Sequence, residues 1–447
     1  MDTAQKIQRR GTTSKRILAP DVARGLALLG IAVANLPTAW AIPIDAEGDS
    51  MLGGFYPGAS ETHHLLDQLA MVFSAMFAHV RGLPMFATLL GFGIGLISLS
   101  LQRRQFPRNK AMLVLVRRYG FLALFGVIHC IFLFFGDIMI LYGLLAMIVA
   151  LMIGLSNKAI KWIAGVLLGL GVTVGTAFTF FMMNSFGDKM INYSFTLPEN
   201  YLGYMLLGLG SIAGYVFGVV ASAGTIFPVI LIGFLFARTG VLHEPEKHLR
   251  TLWAWIIAGA AVVLFIGLPW GLSAAGFINP EWAETFSTLN LNFGYITGPA
   301  IVALVTVVLM PVQRRYAETD VVPLWLRAPV ALGKRSMSGY LMQSVLFFIL
   351  ALPFTLNLLT DIGAALVLVV ATGVWLVTLI LAVILEMTGT PGPFEWLHRR
   401  ISYGKNGLPT QWKPPQAELP AHPIPAQQPP HNPAHNPANR QAPPQLD

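Results

Sequence analysis

The sequence predicts an all-α integral membrane protein of about ten transmembrane helices, with both termini cytoplasmic and a disordered Pro-rich C-terminal tail. Three observations carry this. Of 447 residues, 55% are hydrophobic and only 11% charged, where a soluble domain has about 25% charged. Apolar runs recur at 22–43, 82–101, 111–135, 138–155, 159–184, 203–237, 251–276, 293–312, 337–356 and 362–385. Most reach or approach the roughly 20 residues that cross a bilayer. Finally, the basic residues gather in alternate loops, the pattern of cytoplasmic-side segments.

The N-terminal segment, 1–17, holds Lys6, Arg9, Arg10, Lys15 and Arg16. The loop 44–65 that follows the first run has Asp45, Glu47, Asp49 and Glu61 with no Lys or Arg. Arg103, Arg104, Arg108 and Lys110 come next, then Lys158 and Lys161, then Arg238, Lys247 and Arg250. Arg314, Arg315, Arg327, Lys334 and Arg335 fill the 313–335 loop, and Arg399, Arg400 and Lys405 follow the last span. The loop 277–290 between such clusters offers only Glu281 and Glu284. Ten spans satisfy every loop, with one segment near 203–237 and another near 64–80 left open. The 203–237 run is too long for one plain span and contains Pro228; the expected arrangement is a surface or re-entrant segment followed by a full span. The first run is too long for a cleavable signal peptide and lacks a small-residue cleavage site.

The transmembrane domain is expected over 18–405. From 406 the chain becomes rich in Pro, Ala, Gln and Asn ("PPQAELPAHPIPAQQPPHNPAHNPANRQAPPQLD"). With little to bury it cannot offset its ordering entropy and reads as a disordered cytoplasmic tail. His422, His431 and His435 there have no fixed setting for a metal, and no metal site is expected. A single cysteine, Cys130, excludes an internal disulfide and a cysteine cluster. The net charge of +8 lies in loops beside spans, which speaks for a membrane surface and against nucleic acid.

Within the spans, ionisable residues are expensive and point to function by default. "GVIHCIFLFFGDIMILYG", 126–143, carries His129 and Asp137. As one helix they would stand about 12 Å apart. A break at Gly136 favours a hairpin with Gly136–Asp137 as its outer turn, and spacing leaves direct contact open. His129 suits a general base, with a carboxylate to hold its tautomer. Cys130 would face the other side of the helix. Arg81, in "AHVRGLPMFATLLGFGIGL", lies near the outer half, where a partner such as Asp137 would account for it; Gly91, Gly93 and Gly95 suit close helix packing. Tyr142 and Gln343 could line the same cavity or bond between helices. In "PDVARGLALLGIAVAN", Asp21 and Arg24 can pair at i, i+3, so Arg24 reads either as a helix anchor or as an anion-binding group. Arg117 and Arg118 likewise read as positive-inside anchors or, with Arg24, Lys334 and Arg335, as a site for an anionic cofactor. No phosphate loop, dinucleotide fingerprint or zinc motif is present.

These blocks, with "LGKRSMSGYLMQS" and "GPFEWLHRRISYG", resemble the YeiB-like membrane proteins, the domain of unknown function 418 family, over residues 16 to about 404. The family is grouped with transmembrane acyltransferases such as the lysosomal heparan glucosaminide acetyltransferases. The resemblance implies acyl-coenzyme A as cytosolic donor and His129 as catalytic base. Asp137 would be its partner or an acceptor-binding group, and Arg24, Arg117 and Arg118 would meet the coenzyme phosphates. Arg81, Tyr142 and Gln343 are then substrate-binding candidates. His79, beside Arg81, departs from the expected pattern. The expectation is a multi-pass protein of a bacterial inner membrane that transfers an acyl group to an outward-facing glycan or lipid, with association as a homodimer left open. The alternative is a proton-coupled transporter or exporter using His129, Asp137 and Arg81. A third reading is a scaffold that presents its Pro-rich tail.

Overall fold

The computed structural model describes residues 16–41, 64–190, 197–360 and 362–412. The N-terminus to Lys15, the acidic residues Asp45, Glu47, Asp49 and Glu61, and the tail from 413 with its three histidines lie outside them. Among the described residues every regular element is helical. Among the described residues eight stretches are long and apolar enough to cross a membrane, and the chain is a multi-pass helical protein.

In chain order the helices are α1 (Ala19–Asn35), α2 (Leu65–Phe77), α3 (Gly82–Arg103), α4 (Arg108–Phe132), α5 (Met139–Leu151) and α6 (Asn157–Met190). There follow α7 (Tyr201–Ala221), α8 (Ile226–Thr239), α9 (Leu249–Val262), α10 (Leu268–Ala274), α11 (Trp282–Phe293) and α12 (Thr297–Thr319). The last four are α13 (Leu324–Lys334), α14 (Ser336–Ala351), α15 (Ala364–Met387) and α16 (Pro393–Tyr403). Prolines mark several starts: Pro20 and Pro393 stand in first turns, and Pro107 and Pro323 stand just before α4 and α13. There a missing N–H removes no hydrogen bond. Gly240, at φ 77°, ends α8 in the left-handed conformation that glycine adopts without strain.

One expectation about the spans is corrected. The 203–237 run divides in the opposite sense to that expected. Its first part, α7, is the full-length helix and buries only Tyr204 and Gly208. Its second part, α8, has 14 residues and buries eleven of them. The cause is close packing. Gly91 of α3 lies against the Ile230 carbonyl, Gly95 against Ala237, and Gly233 against the Thr88 carbonyl. Small residues on both helices let the two backbones meet, which takes α8 out of contact with lipid. Pro228 falls in the first turn of α8, where it breaks nothing.

The turn after α4 lies inside the helical body, where Asp137 is 1% exposed and buried backbone carbonyls need partners. Three tyrosines of α7 supply the donors. Tyr201 Oη donates to the Phe132 carbonyl (3.3 Å), Tyr204 Oη to Leu133 (3.0 Å) and Tyr215 Oη to Asp137 (2.5 Å).

The basic ends of the helices are closed by α13 and α16. Gly25 and Gly333 let α13 press on α1, and His398 Nε2 donates to the Arg118 carbonyl (2.8 Å), docking α16 on α4. Glu395 accepts from the backbone N–H groups of Met337 (2.7 Å) and Ser338 (3.2 Å), capping the free first turn of α14. Contacts of the helical body run past the expected 405 boundary, since Arg104 Nη1 donates to the Leu408 and Pro409 carbonyls and its own carbonyl accepts from Trp412 N–H.

Candidate active site

The turn folds Asp137 back against α4, so that His129 Nδ1 and Asp137 Oδ2 are 2.6 Å apart, both side chains at most 2% exposed. The second carboxylate oxygen accepts the Ile140 N–H at 2.9 Å, which fixes the carboxylate at the start of α5. Gly126, one turn before His129, makes this possible: a methyl group there would stand 2.6 Å from Asp137 Oδ1 and 2.5 Å from Ile140 N. Asp137 as acceptor requires the hydrogen of a neutral His129 on Nδ1. Nε2 then carries a lone pair, and that atom is buried with no hydrogen-bond partner. A buried, oriented and unengaged imidazole nitrogen is the geometry of a general base.

Three hollows surround the 129–142 segment. A charged cavity of about 360 Å³ opens among Arg16, Arg24, Arg118 and Lys334 and reaches Tyr142 and Tyr340. An apolar groove of about 450 Å³ lies between α4, α14, α15 and the start of α16, with His129 in its wall. A third cavity, about 300 Å³, is lined by Asn35, Thr38, His79, Asn290 and Tyr295. Tyr340 links the first two: its ring centroid is 5.3 Å from that of His129, and its hydroxyl is buried. Ile31 and Ile138 line both the charged cavity and the third one, so the residue after Asp137 forms part of the partition between them.

The arginines separate into two groups. Arg24 lines the charged cavity, with Nη1 3.3 Å from Asp21 Oδ1 and Nη2 3.4 Å from the Leu89 carbonyl. Gly93 faces it, leaving 3.7 Å even to an added methyl. Arg118 lines the same cavity and its Nε has no hydrogen-bond partner. Arg117 is not brought there. Successive helical residues point about 100° apart, and its Nη2 instead donates to the Ile401 carbonyl at 2.9 Å on the exposed side. Lys334 enters the cavity but pairs with Glu386 at 2.6 Å, as does Arg335.

Arg81 does not meet Asp137. It donates to the carbonyls of Ala75, Met76 and Val80 and to Asn290 Oδ1 at 2.7 Å. The first two are among the free carbonyls at the end of α2, where the helix dipole also favours a cation. That arrangement accounts for its charge without a carboxylate, and Arg81 lines none of the three hollows. Tyr142 lines the charged cavity and donates to the Leu83 carbonyl at 2.7 Å. Gln343 donates to the Leu28 carbonyl at 3.3 Å and lines no hollow. Cys130 turns toward the Phe135 and Gly208 carbonyls, 3.4 Å away.

Sequence reasoning missed Tyr340 and Tyr215. Tyr340 lies inside a block that carried the resemblance but had no neighbour in sequence to single it out. The tyrosines of α7 did leave a signal, since 201, 204 and 215 fall within about 60° on one face of a helix at 100° per residue.

Residues 236–405 match the family described as Protein of unknown function (DUF418). The chain is also 26% identical over 428 residues to "Uncharacterized protein YxaH" of Bacillus subtilis (strain 168), covering 88% of this chain and 95% of that protein. No solved structure matches.

Proposed function

For this chain, whose family match and likeness to YxaH support a DUF418, YeiB-like assignment, we propose a transmembrane acyltransferase. The observation that carries the reading is His129: Nδ1 is held by Asp137, Nε2 is free, and a cationic cavity reaches Tyr340 beside it. The donor is acyl-coenzyme A, its phosphates met by Arg24 and Arg118 from the basic end, taken as the cytoplasmic one. Arg118 is the stronger contributor because its Nε is unengaged, and bidentate contact with phosphate is what a guanidinium does best.

In the transfer, His129 Nε2 takes the proton of an acceptor hydroxyl or amine as its oxygen or nitrogen attacks the thioester carbonyl carbon. The C–S bond breaks, and the departing thiolate takes the proton back from Nε2. Asp137 stabilises the imidazolium between these events, as in triad logic. The Tyr340 hydroxyl donates to the developing oxyanion, a contribution commonly worth about 10²–10³ in rate. The acceptor, a glycan or lipid, approaches through the third cavity, past Ile138.

Calorimetry of acetyl-coenzyme A binding to the purified full chain tests this. Arg118→Ala should weaken binding by about tenfold or more, since hydrogen bonds to charged groups contribute about 1.5–3 kcal/mol each. Arg117→Ala should leave it unchanged. Absence of binding by folded wild type contradicts the proposal. It would favour a proton-coupled transporter, for which the specific observation is the shared Ile31–Ile138 partition between cavities; pH-gradient-driven flux lost in Asp137→Asn is its mark.

A further inference from the structure

The apolar groove beside His129 has a use that the transfer step leaves open. Its wall is built by Phe125 and His129 of α4, Met342 of α14, Thr378 and Ala382 of α15, and Phe394 of α16. Ile128 and Ile384 on its rim are 49% and 50% exposed on helices long and apolar enough to span a membrane, so the groove is continuous with the lipid-facing surface. The other polar groups in its lining are already engaged. Thr378 Oγ1 donates to the Trp375 carbonyl (2.7 Å), Ser338 Oγ to Glu395 (2.5 Å), and Arg335 to Glu386 and the Thr390 carbonyl. His129 Nε2 is not. An occupant therefore needs one reactive polar group at His129 and hydrocarbon everywhere else.

Arg118 lies against His398 and Tyr403 of α16, and His129 is eleven residues further along α4, about 16 Å at 1.5 Å per residue. The groove runs from the level of His129 back toward Arg335 and Ser338. The charged cavity runs the same way on the other side of α14, with Tyr340 in its wall. A molecule whose phosphates lie in the cavity and whose thioester reaches the His129–Tyr340 pair has the groove before it for its acyl chain.

We propose that the transferred group is a long-chain fatty acyl group, held in this groove with its thioester at His129. An acetyl group would leave the groove empty. The proposal rests on the acyltransferase reading and narrows its donor. Burial of apolar surface contributes about 0.8 kcal/mol per methylene when complete, so affinity should climb about two- to fourfold per added methylene for a chain partly open to lipid.

The test is binding of acetyl-, butyryl-, octanoyl- and palmitoyl-coenzyme A to the full chain in lipid nanodiscs, with empty discs as the blank. Met342→Trp, at the exposed rim, and Val345→Phe, deeper in the same wall, are the variants. The expected result is affinity that rises with chain length in wild type and levels off in either variant, with acetyl-coenzyme A binding retained in all. Equal affinity across the series in wild type overturns the fatty-acyl assignment while leaving the donor site standing. No binding of any member overturns the acyltransferase reading, and this assignment with it.

Discussion

Gly126→Ala places one methyl group against the Asp137 carboxylate. The added carbon would stand 2.6 Å from Asp137 Oδ1 and 2.5 Å from Ile140 N, where ordinary contact begins at 3.4 Å. Either α5 or the carboxylate must retreat by about 0.8 Å, a distance over which misplacement of a reacting group costs about 10²-fold in rate. The His129–Asp137 bond is 2.6 Å long and does not survive such a retreat with its geometry intact, so the imidazolium loses its counter-charge. Stability responds far less. Overpacking costs about 1–3 kcal/mol, while alanine gains up to about 1 kcal/mol over glycine inside a helix. Single-turnover acyl transfer and thermal melting on the same sample separate the two effects. The expected result is a turnover about 100-fold below wild type, a modest fall in melting temperature, and unchanged affinity for acyl-coenzyme A. Wild-type turnover in a folded Gly126→Ala protein would refute the claim that the tight α4–α5 approach positions the pair.

Two further outcomes follow from packing and from a titrating group outside the spans. Gly91→Ala should lower the melting temperature by the equivalent of about 1–3 kcal/mol, because its methyl meets the Ile230 carbonyl; Gly93→Ala, with only Arg24 Nη2 at 3.7 Å, should melt like wild type. His398, on α16, is held neutral in the fold, its pKa pushed from 6.5 down to about 4 by burial first and by the Arg118 guanidinium second. As pH falls below 6.5 the unfolded chain takes up this proton before the folded one, so stability drops by about 2 kcal/mol at pH 5 and continues to fall until about pH 4. Melting across pH 7 to 4 should show that slope, and His398→Gln, which keeps a donor for the Arg118 carbonyl, should flatten it.

Much of this architecture could be read from the chain. The runs, the alternation of basic loops and the singular His129 and Asp137 all follow from the cost of polar groups in hydrocarbon, which acts on local composition. What could not be read depended on contacts between distant segments. Whether Asp137 reaches His129 is decided by the 132–138 turn, whose carbonyls at Phe132, Leu133 and Asp137 accept from tyrosines some 70–80 residues later. Arg81 suggested a carboxylate because sequence displays its charge but not the open end of α2 that receives it. Arg117 and Arg118 were indistinguishable as neighbours in a string, though a helix sends them to different faces. The 203–237 run was divided in the wrong sense because its hydrophobicity is nearly uniform. Only the glycine contacts of α3 tell which half is hidden from lipid.

The most direct test of the central claim is acyl transfer by His129→Ala in membranes, with donor binding measured on the same preparation. The account predicts loss of transfer with acyl-coenzyme A affinity retained, because Arg24 and Arg118, and not His129, line the donor cavity. Transfer at the wild-type rate in the folded variant would contradict it.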